Sequence, residues 1–327
     1  MPFPTSRLAS LCWVAFCSAS LAGNAGAQMS AIPPEIASQI RAGGHSIDAR
    51  ATAALYDPLQ EREPYRDVSV SRNLSYGPDP QNLADVFAPS EKPAALRPVL
   101  VFVHGGGYTQ GERRLGAASP FYDNIGLWAV RHGFIGVNIT YRRAPKARWP
   151  AGAEDVGLAI SWLKANIAGR GGNPKAVFLI GHSAGAAHVA GYLSHRQFWG
   201  DATPGARGAI ILSGSFTVTT GDVLADEASY VERERAYFST DPARIDEESS
   251  IEGLLNSPVP ILFANAEYDP EFFLRRREGL KEAFQSAHKS GRFVMLQGHN
   301  HMSEVFSINT SDTSLTGEIE RFVRSAL

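Results

Sequence analysis

Cysteine is nearly absent: the chain of 327 residues holds two, Cys12 and Cys17, both close to the N-terminus. The rest of the chain has no thiol, which excludes a disulfide framework, a cysteine nucleophile and thiolate zinc ligation there. Excess charge is lacking too, with 31 Lys and Arg against 33 Asp and Glu and a net charge of −2. No basic field exists to hold nucleic acid, and no acidic tail. Long apolar runs are missing: the longest mostly apolar stretch, Leu8 to Ala22, is broken by Ser and Cys and is too short to span a membrane. The phosphate-loop patterns G-x-G-x-x-G and G-x-x-x-x-G-K-[ST] and the zinc-helix pattern H-E-x-x-H do not occur.

What is present begins with "MPFPTSRLASLCWVAFCSASLAGNAGAQ". One positive charge (Arg7), the apolar run and the small-residue pattern Ala25-Gly26-Ala27 make the three-part layout of a secretory signal peptide. We therefore expect residues 1–27 to be removed and the chain to be exported, periplasmic or secreted, with no membrane span in the mature part. Residues 28–327 then read as one α/β domain. Short apolar strands such as "VLVFV", "FIGVNI", "AVFLIG" and "AIIL" alternate with helical stretches, as in βαβ units around a mostly parallel sheet flanked by helices. The stretch before Glu63 reads as irregular, with a helix start at Pro33-Pro34. The alternation breaks at 215–256, a charged and partly helical segment expected to be a cap-like insertion over the C-terminal edge of the strands. Arg275 to Arg277 are expected on a solvated helix face.

The chemistry concentrates in three stretches. "GHSAG", Gly181 to Gly185, matches G-x-S-x-G, with a strand running in and a helix leaving. A serine there sits on a sharp turn with its hydroxyl above the sheet, and the helix N-terminus favours developing negative charge. Ser183 is the candidate nucleophile. "HGGGY", His104 to Tyr108, follows a strand and offers bare backbone N–H groups. Gly105, Gly106 and Ala184 are the candidate oxyanion donors, with Gly107 as a substitute for one loop donor. A serine hydroxyl needs a base and the base an orienting acid, in the chain order Ser, Asp or Glu, His. The strand "PILFANAE" offers Glu267 and Asp269 just past its end, and the next strand delivers "GHNHMS" with His299 and His301.

"HGGGY", "YRRAPKARWPAGAEDV", "GHSAGAAH", "AEYDP" and "GHNHMS" resemble, in this order, the blocks of the α/β-hydrolase superfamily, specifically its hormone-sensitive-lipase-like members and related bacterial carboxylesterases. The resemblance implies the α/β-hydrolase fold, hydrolysis of a small ester by a Ser183–Asp269–His301 triad, and no cofactor; no metal is expected at His299 and His301, since no thiol or H-E-x-x-H helix is there to add ligands. It points to Asp269 over Glu267 and to His301 over His299. It leaves open an amidase, such as an arylformamidase, using the same machinery, and a non-catalytic binding protein on the same fold. Tyr141, Arg142, Pro150 and Asp155 are expected to brace the site, and His104 the glycine loop. His188 and His195 read as residues of a helix face. Trp199, Phe216, Tyr230 and Phe238 are candidates to line an acyl pocket.

Overall fold

The computed structural model describes residues 32–217, 223–225 and 227–327; the leader expected at 1–27 lies outside the described residues. Eight segments form strands: β1 (Val68–Ser75), β2 (Leu83–Pro89), β3 (Arg97–Val103), β4 (Ile135–Ile139), β5 (Gly172–His182), β6 (Gly208–Leu212), β7 (Ile261–Tyr268) and β8 (Arg292–Asn300). They join one sheet in the order β1-β2-β4-β3-β5-β6-β7-β8. β2 pairs antiparallel with β1 and β4, and every later pairing is parallel. The helices are α1 (Pro34–Gly43), α2 (Ala49–Tyr56), α3 (Asp123–Arg131), α4 (Ala151–Asn166), α5 (Ala184–Ser194), α6 (Ala228–Tyr237), α7 (Pro242–Glu248), α8 (Ile251–Leu255), α9 (Glu271–Ser286), α10 (Ser303–Phe306) and α11 (Thr316–Ala326).

The apolar runs of β3 to β6 follow from this arrangement. A parallel strand covered by helices on both faces has no polar side, so both sets of alternating side chains are apolar. Val99, Val101, Val103, Val177 and Leu179 point to one face and pack with Val156, Ile160 and Leu163 of α4 and Val189 of α5. Leu100, Phe102, Phe178 and Ile180 point to the other and pack with Ile125 and Trp128 of α3 and Ile319 and Phe322 of α11. Truncating a fully buried ring such as Phe102 (1% exposed) to Ala should cost about 3–5 kcal/mol.

Two readings need correction. The segment before Glu63 is more regular than expected: the helix start at Pro33-Pro34 is that of α1, α2 follows it, and Ile36, Ile40 and Tyr56 belong to the core beneath α3. Asp48 starts α2 by accepting from Ala51 N at 2.8 Å. These helices are of 10 and 8 residues, too short for a clear periodic signal. Nor are Arg275 to Arg277 a purely solvated face. Arg275 Nε donates to Glu227 at 3.0 Å, and Arg276 lies 3.4 Å from Glu234, so α9 is pinned to the insertion between β6 and β7.

Candidate active site

Ser183 links β5 to α5 with φ 55° and ψ −119°, a left-handed conformation that costs a non-glycine residue roughly 1–3 kcal/mol. Its surroundings hold it there. Ser183 N donates to Leu212 O at 2.9 Å, and Ser183 O accepts from Ala186 N at 3.0 Å. The turn also needs backbones in near contact: a Cβ on Gly185 would stand 2.1 Å from Val103 O. The sheet thus forces the hydroxyl out at the carboxyl end of β5, the edge where open α/β sheets gather their ligands.

The glycine loop crosses the same edge. A Cβ on Gly105 would lie 3.0 Å from Ser183 Cβ, and Gly106, at φ 132°, would carry its Cβ 2.0 Å from Gln110 O. Among the described residues, the amides of Gly105, Gly106, Gly107 and Ala184 donate to no protein acceptor. His104 is fully buried beneath the loop. It stacks on Tyr141 at 4.5 Å, and its Nδ1 meets Gly105 O at 2.6 Å. Burial lowers its pKa to about 4, so the ring is neutral and acts as a brace. Tyr141 Oη donates to His104 O at 2.9 Å, and Arg142 is held by Asp155 at 2.9 Å.

Asp269 follows β7 and is fully buried. Its Oδ1 takes His301 Nδ1–H at 2.8 Å. Its Oδ2 accepts from Ser213 Oγ at 2.6 Å, Asn265 Nδ2 at 3.0 Å and Ala266 N at 3.2 Å. This fixes both the carboxylate plane and the tautomer of the imidazole, leaving Nε2 as the acceptor. The ring of Phe273 stacks on His301 at 4.6 Å. Glu267, the other strand-end acid, instead accepts from Gly298 N at 2.7 Å.

His299 has a separate partnership. Its Nδ1 meets Ser303 Oγ at 3.1 Å, and its Nε2 lies 3.0 Å from Asp312 Oδ2, off the line of a straight hydrogen bond. The residue is fully buried and borders neither of the cavities at Ser183.

One buried carboxyl had no signal in the sequence. Glu304, on α10, lies 3.1 Å from His182 Nε2, which donates to His301 O at 2.9 Å. Burial, then the neighbouring Asp269 charge, pushes the Glu304 pKa well above the usual carboxylate range, while burial lowers His182 to about 4. Burial favours the uncharged form of both groups, which argues against an ion pair between them. His182, His301 and Glu304 place potential metal-donor atoms within 4.8 Å of one another. His301 Nδ1 is committed to Asp269 and His182 Nε2 to the backbone carbonyl of His301, with the Glu304 carboxyl packed beside them.

Two cavities meet at Ser183. The smaller, about 40 Å³, is walled by Tyr108, Tyr230, Phe272 and Phe273, with Ser215 and Glu234 as polar members. The larger, about 310 Å³, contains His301, Gly105, Gly106, Tyr122, Leu115 and Gln110. Of the four aromatics expected here, Tyr230 alone lines either of these two cavities. Trp199 donates to Tyr192 O at 2.7 Å, Phe216 packs on Phe263, and Phe238 supports Tyr108 from behind. Their places come from Tyr108, Phe272 and Phe273. Ile47 borders both cavities and Ala49 the larger one, brought there from the N-terminal segment. His45 anchors that segment, its Nδ1 meeting Asp269 O at 2.7 Å. His195 ties α5 to Glu247 O at 2.8 Å, and His188 is buried among Tyr108, Tyr141 and Tyr237.

Comparison with known proteins bears on the fold. The BD-FAE family model matches residues 84–204. The chain is similar to esterase LipC of Mycobacterium tuberculosis, 36% identical over 39% of this chain and 32% of that protein. It is also similar to esterase LipQ of the same organism, 35% identical over 45% and 34% of the two chains. The chain thus spans about a third of the length of these curated relatives. Among solved structures, esterase B of Lactobacillus rhamnosis superposes with a TM-score of 0.69 at 16% identity, covering 89% of this chain and 95% of that one. The hyperthermophilic esterase of Pyrobaculum calidifontis gives 0.64 at 19% identity, covering 90% and 97%. The fold is that of the α/β-hydrolases. Among the described residues, no helix is long and apolar enough to cross a membrane.

Proposed function

We propose that this α/β-hydrolase is a carboxylic ester hydrolase acting by two-step acyl transfer. The observation that carries the reading is the Asp269-held imidazole of His301, bordering one cavity with Ser183 and the unengaged amides of the glycine loop. Ser183 Oγ attacks the ester carbonyl while His301 Nε2 takes its proton. The charge developing on the former carbonyl oxygen is met by N–H groups of Gly105, Gly106 and Ala184, donors that need no reorganisation when it appears. His301 then protonates the departing alcohol, and water repeats the sequence to release the acid. Because His301 delivers that proton, the alcohol half belongs in the larger cavity, where His301 sits. The acyl half falls in the smaller, aromatic one, which favours short acyl chains. The names of the similar proteins, esterases throughout, favour ester over amide cleavage.

Residues 215–256 act in this reading as a cap, since Tyr230, Arg233 and Glu234 border the cavity at Ser183. Export after cleavage behind Ala27 is part of the same proposal, and N-terminal sequencing of protein recovered outside the cytoplasm tests it. The activity test is hydrolysis of p-nitrophenyl esters from acetate to palmitate, with an N-formyl anilide assayed in parallel. Turnover highest at acetate to butyrate and abolished in Ser183→Ala supports the proposal. Anilide cleavage without ester cleavage would move the activity to an amidase, and no reaction with a fluorophosphonate at Ser183 would remove it altogether.

A further inference from the structure

Resting on the esterase reading, we infer that the preferred substrates carry a carboxylate on the alcohol half, and that Arg233 recognises it. Arg233 is an exposed residue of α6 that borders both cavities at Ser183. Its side chain lies across the oxyanion loop: a Cβ built on Gly107 would meet Arg233 Cδ at 2.6 Å and Nη1 at 3.3 Å. Other arginines around the site are engaged. Arg276 faces Glu234, Arg275 bonds Glu227, Arg113 bonds Asp85, and Arg143 bonds Gly111 O. Arg233 has no carboxylate, carbonyl or aromatic partner among the described residues.

The two cavities are not equivalent for an anion. The smaller contains the carboxylate of Glu234, whereas no Asp or Glu lines the larger, whose polar rim beside Arg233 is Gln110. A guanidinium presents paired N–H donors in a fixed fork that suits a carboxylate. Arg233 therefore adds a positive charge and directed donors to a leaving-group cavity that no Asp or Glu lines. Ile47, Leu115, Tyr122 and Met302 supply the apolar walls, so the alcohol half that fits is a compact, carboxylate-bearing phenol or aliphatic alcohol.

The test compares 3-carboxyphenyl acetate with its neutral isostere 3-carbamoylphenyl acetate, and adds phenyl hemisuccinate, which carries the charge on the acyl side. The expected result is a kcat/KM ratio of carboxy to carbamoyl ester of about 10 or more in the wild type at low salt, shrinking as salt is added. The ratio should fall to about 1 in Arg233→Gln and be intermediate in Arg233→Lys, which keeps the charge and loses the fork. Arg235→Gln, a neighbouring exposed arginine that borders neither cavity, should retain the wild-type ratio. A wild-type ratio near 1, a ratio that survives Arg233→Gln, or a preference confined to the hemisuccinate would overturn the inference while hydrolysis of the carbamoyl ester keeps the esterase reading. Absence of hydrolysis of all three, together with no fluorophosphonate labelling of Ser183, would overturn both.

Discussion

His299 and His301 stand two residues apart, and each has a buried carboxylate partner, at 3.0 Å and 2.8 Å. Their surroundings differ completely. His301 has one nitrogen on Asp269 and borders a cavity shared with Ser183, its face covered by Phe273. His299 faces Ser303 with one nitrogen and Asp312 with the other, and borders neither of the cavities at Ser183. A histidine–aspartate pair therefore does not by itself make a base: the free nitrogen and the open volume beside a nucleophile do. At the end of β8, residues 299 and 301 share a side of the strand in register, yet the chain leaves the sheet between them, and the side chains end in different environments. The first is part of the core and the second of the proposed chemistry.

Breaking each pair should separate these roles, and the largest effect falls on turnover. Ser183→Ala and His301→Ala should each lower kcat by about 10⁴-fold or more in the ester assay. Asp269→Asn should lower it by about 10⁴-fold, because an amide in place of the carboxylate favours the wrong imidazole tautomer. His299→Ala should instead keep kcat within a few-fold while folded and cost about 3–5 kcal/mol in denaturant unfolding, since it strands the buried Asp312 carboxylate. A His299→Ala protein that is folded and inactive would reverse the assignment of the two histidines.

A smaller effect is expected at the glycine loop. Gly106→Ala places a Cβ 2.0 Å from Gln110 O at φ 132°, so the loop must move. If its amides bind the oxyanion, kcat should fall by about 10²- to 10³-fold with little change in KM. Wild-type kcat in this variant would remove the loop from the mechanism.

What the sequence makes legible divides along the same line as the two histidines. The strand–helix alternation and the order of Ser183, Asp269 and His301 are local patterns, and the sheet edge that unites them follows from parallel topology. The fate of His299 is readable only by resemblance, because Asp312 carries no motif and nothing in "GHNHMS" pairs Ser303 with His299. The cavity walls are less legible still. Tyr108 is part of a quoted motif, but Phe273 stacks on His301 only because α9 packs beside it, and Ile47 arrives from an N-terminal loop tied down by His45. Trp199, Phe216 and Phe238 have the composition of a pocket lining, yet they turn into the core, since aromatic character does not say which face of an element meets a cavity. Arg233 and Glu304 likewise gain their significance from tertiary placement alone.

The pH dependence of stability sharpens the comparison further. Burial pushes Asp312 up, but hydrogen bonds from His299 and Ser314 and the charge of His299 prevail and leave its pKa below the ordinary 3.8. A depressed carboxyl contributes stability that is complete above its unfolded pKa and is lost as pH falls through the folded one. Urea unfolding of wild type and Asp312→Asn should therefore show a gap that is widest above about pH 3.8 and closes in more acidic buffer.

The two environments separate most cleanly at Glu304. His301 has two carboxyls near it, and only Asp269 can be ionised without placing a second buried charge beside the first. With its folded pKa raised above the ordinary 4.5, Glu304 keeps its proton in the native state while the unfolded chain gives it up. Native stability then declines as pH rises above that unfolded value. Glutamine has nearly the same shape and no proton to lose. The melting temperature of Glu304→Gln relative to wild type should therefore rise as pH climbs above about 4.5, as the cost of holding the acid neutral grows in the wild type alone. A difference that stays flat above about pH 4.5 would mean that Glu304 ionises as an exposed carboxyl does, and that His301 works between two negative charges instead of one.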